Sequence, residues 1–153
     1  MRSVKLFRCS VCPDNLESGQ GSAFSMPYLN ALLDAMIHET ERRGITSYPI
    51  HIKIDTGMHR LGFQPKDIPA ICERIKSQSG VVARSVFSHL AGSDSYIFDE
   101  FTEKQIHTFR KAAAELEEGL EYRVIKHILN SAGIERYPND QLDMVRLGIG
   151  LYG

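Results

Sequence analysis

The sequence predicts an α/β fold in which about four parallel strands alternate with helices. Three observations predict it. Ile50, Ile52 and Ile54 alternate with His51, Lys53 and Asp55, the two-residue period of a strand built on β-branched residues. Similar strand-like runs recur between helical stripes along the chain, and parallel neighbours need crossovers of that kind. Polar residues also collect where strands end: Arg60 after the first, His89 at the end of the second, Asn130-Ser131 at the end of the third, and Arg146 to Gly148 within the last. A closed α/β barrel gathers its functional groups at the same ends. No glycine-rich dinucleotide fingerprint follows any strand, and no phosphate-loop motif is present.

The elements follow in order. Residues 1–24 have no clear period, and residues 13–22 collect Pro, Asp, Asn, Ser and Gly, so they read as a poorly structured leader before one domain over 25–153. Ser25 caps a helix from Met26 to about Arg43, with Leu29, Leu32, Leu33, Met36 and Ile37 as its apolar stripe and Gly44 just past its end. The first strand runs from Pro49 into a turn at Thr56-Gly57 that ends in Arg60. A second helix is expected from about Asp67 to Ser77, carried by Ile68, Ile71, Cys72 and Ile75. A strand from Val81 to His89 leads into a loop from Leu90 to Tyr96. Thr102-Glu103-Lys104-Gln105 has capping-box spacing and opens a third helix, with Phe101, Ile106, Phe109, Ala113 and Leu116 on its apolar face and Gly119 closing it. Tyr122 to Leu129 reads as a strand, Ala132 to Arg136 as a helical turn, and Leu142 to Tyr152 as the last strand.

The totals narrow the function. At 153 residues and 42% hydrophobic, the chain has the apolar material for one domain core. A formal charge of −1 gives no footprint for nucleic acid or an anionic membrane. No apolar run approaches the roughly 18 residues of a membrane span. Arg2, Lys5 and Arg8 are not followed by the apolar core of a signal peptide, which favours the cytoplasm. Cys9 and Cys12 form one C-x-x-C with no second pair, as expected of free thiols rather than a zinc ribbon, and no metal site is expected. Cys72 sits in a helical stripe as a small core residue.

The last strand carries the most specific chemistry. Val145, Leu147, Ile149 and Leu151 fall on one face; Arg146, Gly148 and Gly150 fall on the other. Two glycines beside an arginine weaken a strand, and they make sense where a ligand approaches the backbone closely. A backbone N–H at Gly148 or Ile149, next to Ser131, could hold a phosphate. Taken alone, Ser131 could equally be a helix cap, His89 a structural histidine, Arg146 an ion-pair partner and Lys53 a salt-bridge partner of Asp55.

Four blocks carry a resemblance over about residues 26–153. Ile52-Lys53-Ile54-Asp55-Thr56-Gly57-Met58-His59-Arg60-Leu61-Gly62-Phe63 resembles the strand and turn of alanine racemase. Phe87-Ser88-His89-Leu90-Ala91 with Asp94, Gln105 and Phe109 is similar to its next block, and Asn130-Ser131-Ala132-Gly133 and Asp143-Met144-Val145-Arg146-Leu147-Gly148-Ile149-Gly150-Leu151-Tyr152-Gly153 resemble the two after it. The order and spacing of four blocks are more specific than any one of them.

The resemblance implies a partial TIM-type (β/α)8 barrel, its strands five to eight. It implies a fold-type III isomerase that interconverts L- and D-alanine through an imine of pyridoxal 5'-phosphate, for cell-wall synthesis, as a homodimer. Arg146 would face the pyridine nitrogen of the cofactor; His89 would lie against the ring or its oxygen. Asn130 and Ser131 would serve the ring edge and phosphate, with backbone donors at Gly148 and Ile149. Arg60 would bind near the substrate carboxylate, supported by Lys53, which is carbamylated in some members. The family's Schiff-base lysine block is not matched by Val4-Lys5-Leu6-Phe7, and its opposing tyrosine comes from a β domain, so no catalytic residue is expected in this chain and the chain alone is expected to be inactive. The alternatives are a non-catalytic remnant that holds cofactor or phosphate, and another fold-type III racemase.

Overall fold

The computed structural model describes residues 25–153; the leader and its Cys9 and Cys12 lie outside the described residues. The described elements are α1 (Ser25–Arg42), β1 (Tyr48–Lys53), α2 (Ile68–Lys76), β2 (Val81–Phe87), α3 (Asp99–Leu120), β3 (Ile125–His127) and α4 (Ser131–Arg136). The strands form one parallel sheet in the order β1-β2-β3. The α/β alternation read from the sequence is therefore the architecture.

The core lies on one face of the sheet. Ile50, Ile52, Ala83 and Val86 are buried there in a single cluster with Ile68, Ile71 and Ile75 of α2 and Ile106, Phe109, Ala113 and Leu116 of α3. Each large aliphatic side chain fully buried in this way stabilises the fold by about 1.5–3 kcal/mol. The predicted stripe of α2 is buried residue for residue, Cys72 included. The stripe of α1 is shallower, with Leu33 buried and Leu29, Met36 and Ile37 packed only partly against the core. Gly44 ends α1 as expected. It takes φ +64°, its N–H bonds Glu41 O at 3.0 Å, and Ile45 N bonds Thr40 O at 2.8 Å, the paired bonds of a Schellman end.

One irregularity decides which side chains face away from the core. Ile50 pairs with Ala83, but His51 pairs with Ser85, so Arg84 is an extra residue in β2. Paired residues of parallel strands share a face. The bulge therefore keeps Ile50–Ala83 and Ile52–Val86 on the core face and sets His51–Ser85 and Lys53–Phe87 on the other.

Several expectations are corrected. The third helix begins at Asp99, not Thr102, because Asp99 is tied to Arg136 and accepts from the Tyr137 hydroxyl at 2.9 Å; Thr102 is buried inside the helix, and Phe101 is exposed rather than on the apolar face. Gly119 does not close that helix. Leu120 is its last residue, Glu121 takes the left-handed conformation at φ +64°, and Gly119 instead admits the Cys72 side chain, since a Cβ there would come 2.6 Å from the thiol sulfur. The segment Leu142 to Tyr152 is not a strand. It follows β3 through Asp143 N to Lys126 O at 3.2 Å and Arg146 N to Leu129 O at 3.0 Å, but no ladder forms. The amides of Gly148 and Gly150 turn instead to the Ser131 hydroxyl, and Ile149–Leu151 closes into a short 3-10 turn. Past Val145 its apolar side chains are open: Leu147 is 54% and Ile149 81% exposed. The sheet thus has three strands, and the place of the expected fourth is held by this segment. The third strand is also shorter than the expected Tyr122 to Leu129.

Candidate functional site

A cavity of about 510 Å³ opens beside the carboxyl ends of β2 and β3. Of the residues singled out from the sequence, His89, Asn130, Ser131, Arg146, Gly148 and Ile149 line it; Arg60 and Lys53 do not. Its size falls in the range of small-molecule sites.

Arg146 is the best-anchored of these. Its Nη1 donates to His127 Nδ1 at 2.6 Å and to His127 O at 3.2 Å; its Nη2 donates to Ser88 O at 2.5 Å and Ile128 O at 3.1 Å. The guanidinium also lies 5.5 Å from the centre of the Phe87 ring. Among the described residues no carboxylate pairs with it, the bland role the sequence left open. Burial pushes Arg146 down to about 10, so it remains a cation at neutral pH. A half-buried cation held by carbonyls and an imidazole leaves its charge available to an anion or a ring-nitrogen acceptor.

His89 sits next to it, with Nδ1 3.5 Å from Arg146 Nη2. Burial, and then the charges of Arg146, Lys53 and Arg60, push His89 below its ordinary value and keep it neutral near pH 7. Those same charges make the neighbourhood electropositive, and Asp94 is the acidic residue on the cavity wall.

On another wall, Ser131 Oγ accepts from Gly148 N at 2.9 Å and from Gly150 N at 3.1 Å. Gly148, expected as a backbone donor, thus meets the Ser131 hydroxyl here, and Gly150 brings a second N–H to the same oxygen. Asn130 is the cap of α4, where its Oδ1 accepts from Gly133 N at 3.0 Å and from the Ser93 hydroxyl at 2.8 Å. The capping role considered for Ser131 falls to Asn130, which leaves the Ser131 hydroxyl facing the glycine amides.

The turn after β1 is a closed unit. Phe63 N bonds Lys53 O and Asp55 N bonds Phe63 O, both at 2.8 Å. Inside it, Asp55 Oδ1 accepts from Gly57 N and His59 N at 3.0 Å each. Burial pushes the Asp55 carboxyl up, but these two bonds and the charge of His59 hold it below the usual range. Gly62 takes φ +139°, and a Cβ there would strike Asp55 N at 2.6 Å. This turn brings Met58 to the cavity and leaves Arg60 exposed, off the cavity wall. Lys53 is half-buried; burial, and then the charge of Arg60, push its amine down, against the opposing pull of Asp55.

Four contributors were not singled out as site residues. Gln105, buried on α3, accepts from Ala91 N at 2.9 Å and donates to Thr56 Oγ1 and His89 O at 3.2 Å each, tying the loops after β1 and β2 together. A polar residue inside an apolar helical face was its signal. Ser88 and His127 hold Arg146, and Ser85 lies behind His127 at 3.4 Å. The polar side chains alternating with Ile50, Val86 and Ile128 were the available sign of these.

The chain is similar to known proteins in sequence and fold. The model of the family described as "Alanine racemase, N-terminal domain" matches residues 29–153. The chain is 38% identical over 124 residues to an alanine racemase of Desulfovibrio desulfuricans, covering 78% of this chain and 32% of that one. It is 44% identical over 106 residues to an alanine racemase of Fusobacterium nucleatum, covering 67% and 28%. Among solved structures it is similar to an alanine racemase of Clostridium difficile in complex with cycloserine, with a TM-score of 0.72, 33% identity and coverage of 80% of this chain and 34% of that one. The alanine racemase of a D-cycloserine-producing Streptomyces lavendulae gives a TM-score of 0.71 at 29% identity, over 84% and 34% of the two chains. The chain spans about a third of the length of these relatives. No helix among the described residues is long and apolar enough to cross a membrane.

Proposed function

The chain belongs to the alanine racemase family, and from that premise we propose that residues 25–153 form the cofactor-holding side of a barrel, strands five to eight, in an enzyme that interconverts L- and D-alanine with pyridoxal 5'-phosphate. The observation that carries the reading is one cavity lined by two donor groups. Arg146, a cation with no carboxylate partner among the described residues, lines it together with Ser131 and Gly148, whose amide bonds the Ser131 hydroxyl. The donor set suits a ring nitrogen at Arg146 and a phosphate at Ser131 and Gly148.

When bound, the cofactor supplies an electron sink for negative charge at the α-carbon of an amino acid. Arg146 would donate to its ring nitrogen without giving up a proton, since even at about 10 the guanidinium stays protonated at neutral pH. Neutral His89 would offer the face of its ring. The Ser131 hydroxyl and the amides of Gly148, Ile149 and Gly150 would bind phosphate oxygens. Asn130 would hold the loop that presents Ser131, through its cap of α4. Arg60, exposed after the turn, would bind the substrate carboxylate, with Lys53 supporting it and Asp55 fixing the turn. Among the described residues no lysine or tyrosine lines the cavity. The lysine that bonds the cofactor and the tyrosine that faces it are therefore assigned to other parts of the full enzyme, a cytoplasmic homodimer that serves cell-wall synthesis.

Titrating the 153-residue chain with pyridoxal phosphate tests the reading. Reversible binding, seen by absorbance and phosphorus NMR, is expected, with affinity falling about tenfold or more in Arg146→Gln, as for the loss of a charge-assisted bond. Borohydride should trap no pyridoxyl-lysine, and alanine should not racemise. Absence of binding, or a trapped adduct on Lys53, contradicts the assignment.

A further inference from the structure

Behind Arg146 a row of polar groups runs across the open face of the sheet, one from each strand. His127 on β3 receives Arg146 Nη1 at its Nδ1 at 2.6 Å. Its other nitrogen, Nε2, lies 3.4 Å from Ser85 Oγ on β2, and Ser85 Oγ lies 2.6 Å from His51 Nδ1 on β1. Ser85 is 1% and His127 5% exposed. The His127 ring is stacked on Phe87, 5.1 Å between centres and 3° from parallel, so its plane is fixed.

The donor inventory gives this row one direction. A guanidinium only donates, so His127 Nδ1 accepts, and the proton of the neutral ring is on Nε2. Burial, and then the charge of Arg146, push His127 down to about 4, so the ring is neutral near pH 7. Nε2–H donates to Ser85 Oγ, and the Ser85 proton is left to point at His51 Nδ1. Donation therefore runs from Arg146 to His127 to Ser85 to His51. The bulge at Arg84 makes this possible, because it brings Ser85 opposite His51.

We infer that Ser85 and His51 are positioning residues, which hold His127 in the tautomer that leaves Nδ1 free to anchor Arg146 at the cavity wall. The inference rests on the reading of that wall as the cofactor-ring side of the site. Without the Ser85 acceptor a buried Nε2–H is left unpaired, and the ring can recover a partner only by moving its proton or turning, either of which breaks the bond to Arg146.

The test uses the full chain with nitrogen-15-labelled histidine, and long-range proton–nitrogen spectra at neutral pH. His127 is expected as the Nε2–H tautomer alone. Ser85→Ala should populate the Nδ1–H form, His51→Phe should do so to a smaller extent, and Ser85→Thr, which keeps the hydroxyl, should restore the single tautomer. In parallel, Ser85→Ala should weaken pyridoxal phosphate about five- to tenfold while leaving inorganic phosphate unchanged, since the effect is confined to the Arg146 wall. A wild-type His127 in the Nδ1–H form, or a tautomer indifferent to Ser85→Ala, overturns the inference. If the tautomers respond as expected but the wild type binds no pyridoxal phosphate, the cofactor reading falls and the hydrogen-bond row stands. If the cofactor binds and Ser85→Ala changes neither spectrum nor affinity, the row alone is wrong.

Discussion

Gly119 on α3 faces Cys72 on α2 so closely that a Cβ at Gly119 would lie 2.6 Å from the thiol sulfur and 3.1 Å from the Cys72 Cβ. This contact sets how near the two helices approach. Gly119→Ala should therefore destabilise by about 1–3 kcal/mol, although alanine is intrinsically the better helix former by roughly 1 kcal/mol. In a Cys72→Ala background the sulfur is gone, and the same change should cost less than about 1 kcal/mol. Denaturant unfolding of the four proteins of the cycle checks this; equal costs in both backgrounds would show that the contact is not the reason.

Gly62→Ala should be costlier than an ordinary surface substitution. The residue is at φ +139°, and the new Cβ would meet backbone of Asp55 and Ile54, which cannot give way as a flexible side chain can. A loss of about 2 kcal/mol or more is expected. Thermal unfolding measures it, and a loss below about 0.5 kcal/mol would mean that the turn around Arg60 is soft.

Acid should weaken the fold through His127. Its folded value, about 4, lies below the ordinary 6.5, so between these the unfolded chain binds the extra proton. Stability is then complete above about pH 6.5 and declines as pH falls towards 4, by up to roughly 2–3 kcal/mol. His89, also lowered by burial and by Arg146, adds in the same direction. His127→Gln, which can still accept from Arg146 and donate to Ser85, should flatten the decline in denaturant titrations from pH 4 to 7. A slope unchanged in that variant would assign the acid sensitivity to other groups.

Ser131→Ala removes the acceptor shared by Gly148 N and Gly150 N. The two amides are exposed, so water replaces the hydroxyl and stability should change by less than about 1 kcal/mol. Their hydrogen exchange should quicken, and affinity for inorganic phosphate should drop several-fold. Unaltered phosphate affinity would remove this wall from the site.

Lys53 is half-buried beside two arginines, and its lowered amine is more often neutral and reactive towards carbon dioxide. Carbon-13 bicarbonate should give a carbamate signal that is lost in Lys53→Arg. A chain that shows no such signal at neutral to mildly alkaline pH leaves Lys53 as a plain cation.

Much of this was legible before the structure. Ile68, Ile71, Cys72 and Ile75 declared α2, Gly44 declared the end of α1, and the strand-end residues His89, Ser131 and Arg146 do meet at one cavity. The hidden features depended on partners distant in sequence. The early start of α3 needed Arg136 and Tyr137 to reach Asp99, 37 and 38 residues away. The last segment has the alternation of a strand, but a ladder is a property of two chains of amides, and Gly148 and Gly150 direct theirs to Ser131. Arg60 was legible as the end of the turn, but not that it stands exposed off the cavity wall, on a turn folded by Asp55 and Gly62. His127 was marked only as a polar side chain beside apolar Ile128; its role was hidden because its partners are on two other elements.

The extra residue at Arg84 has a consequence for how this strand tolerates changes in length. Because Ala83 already pairs with Ile50 and Ser85 with His51, deleting Arg84 leaves every later side chain of β2 on its present face. Losing Ser85, Val86 or Phe87 instead removes a side chain that faces a β1 partner, even where Arg84 closes the gap in the strand. One central strand thus contains a single dispensable position among essential neighbours, and a deletion scan across residues 83–87 should find it as an isolated permitted gap.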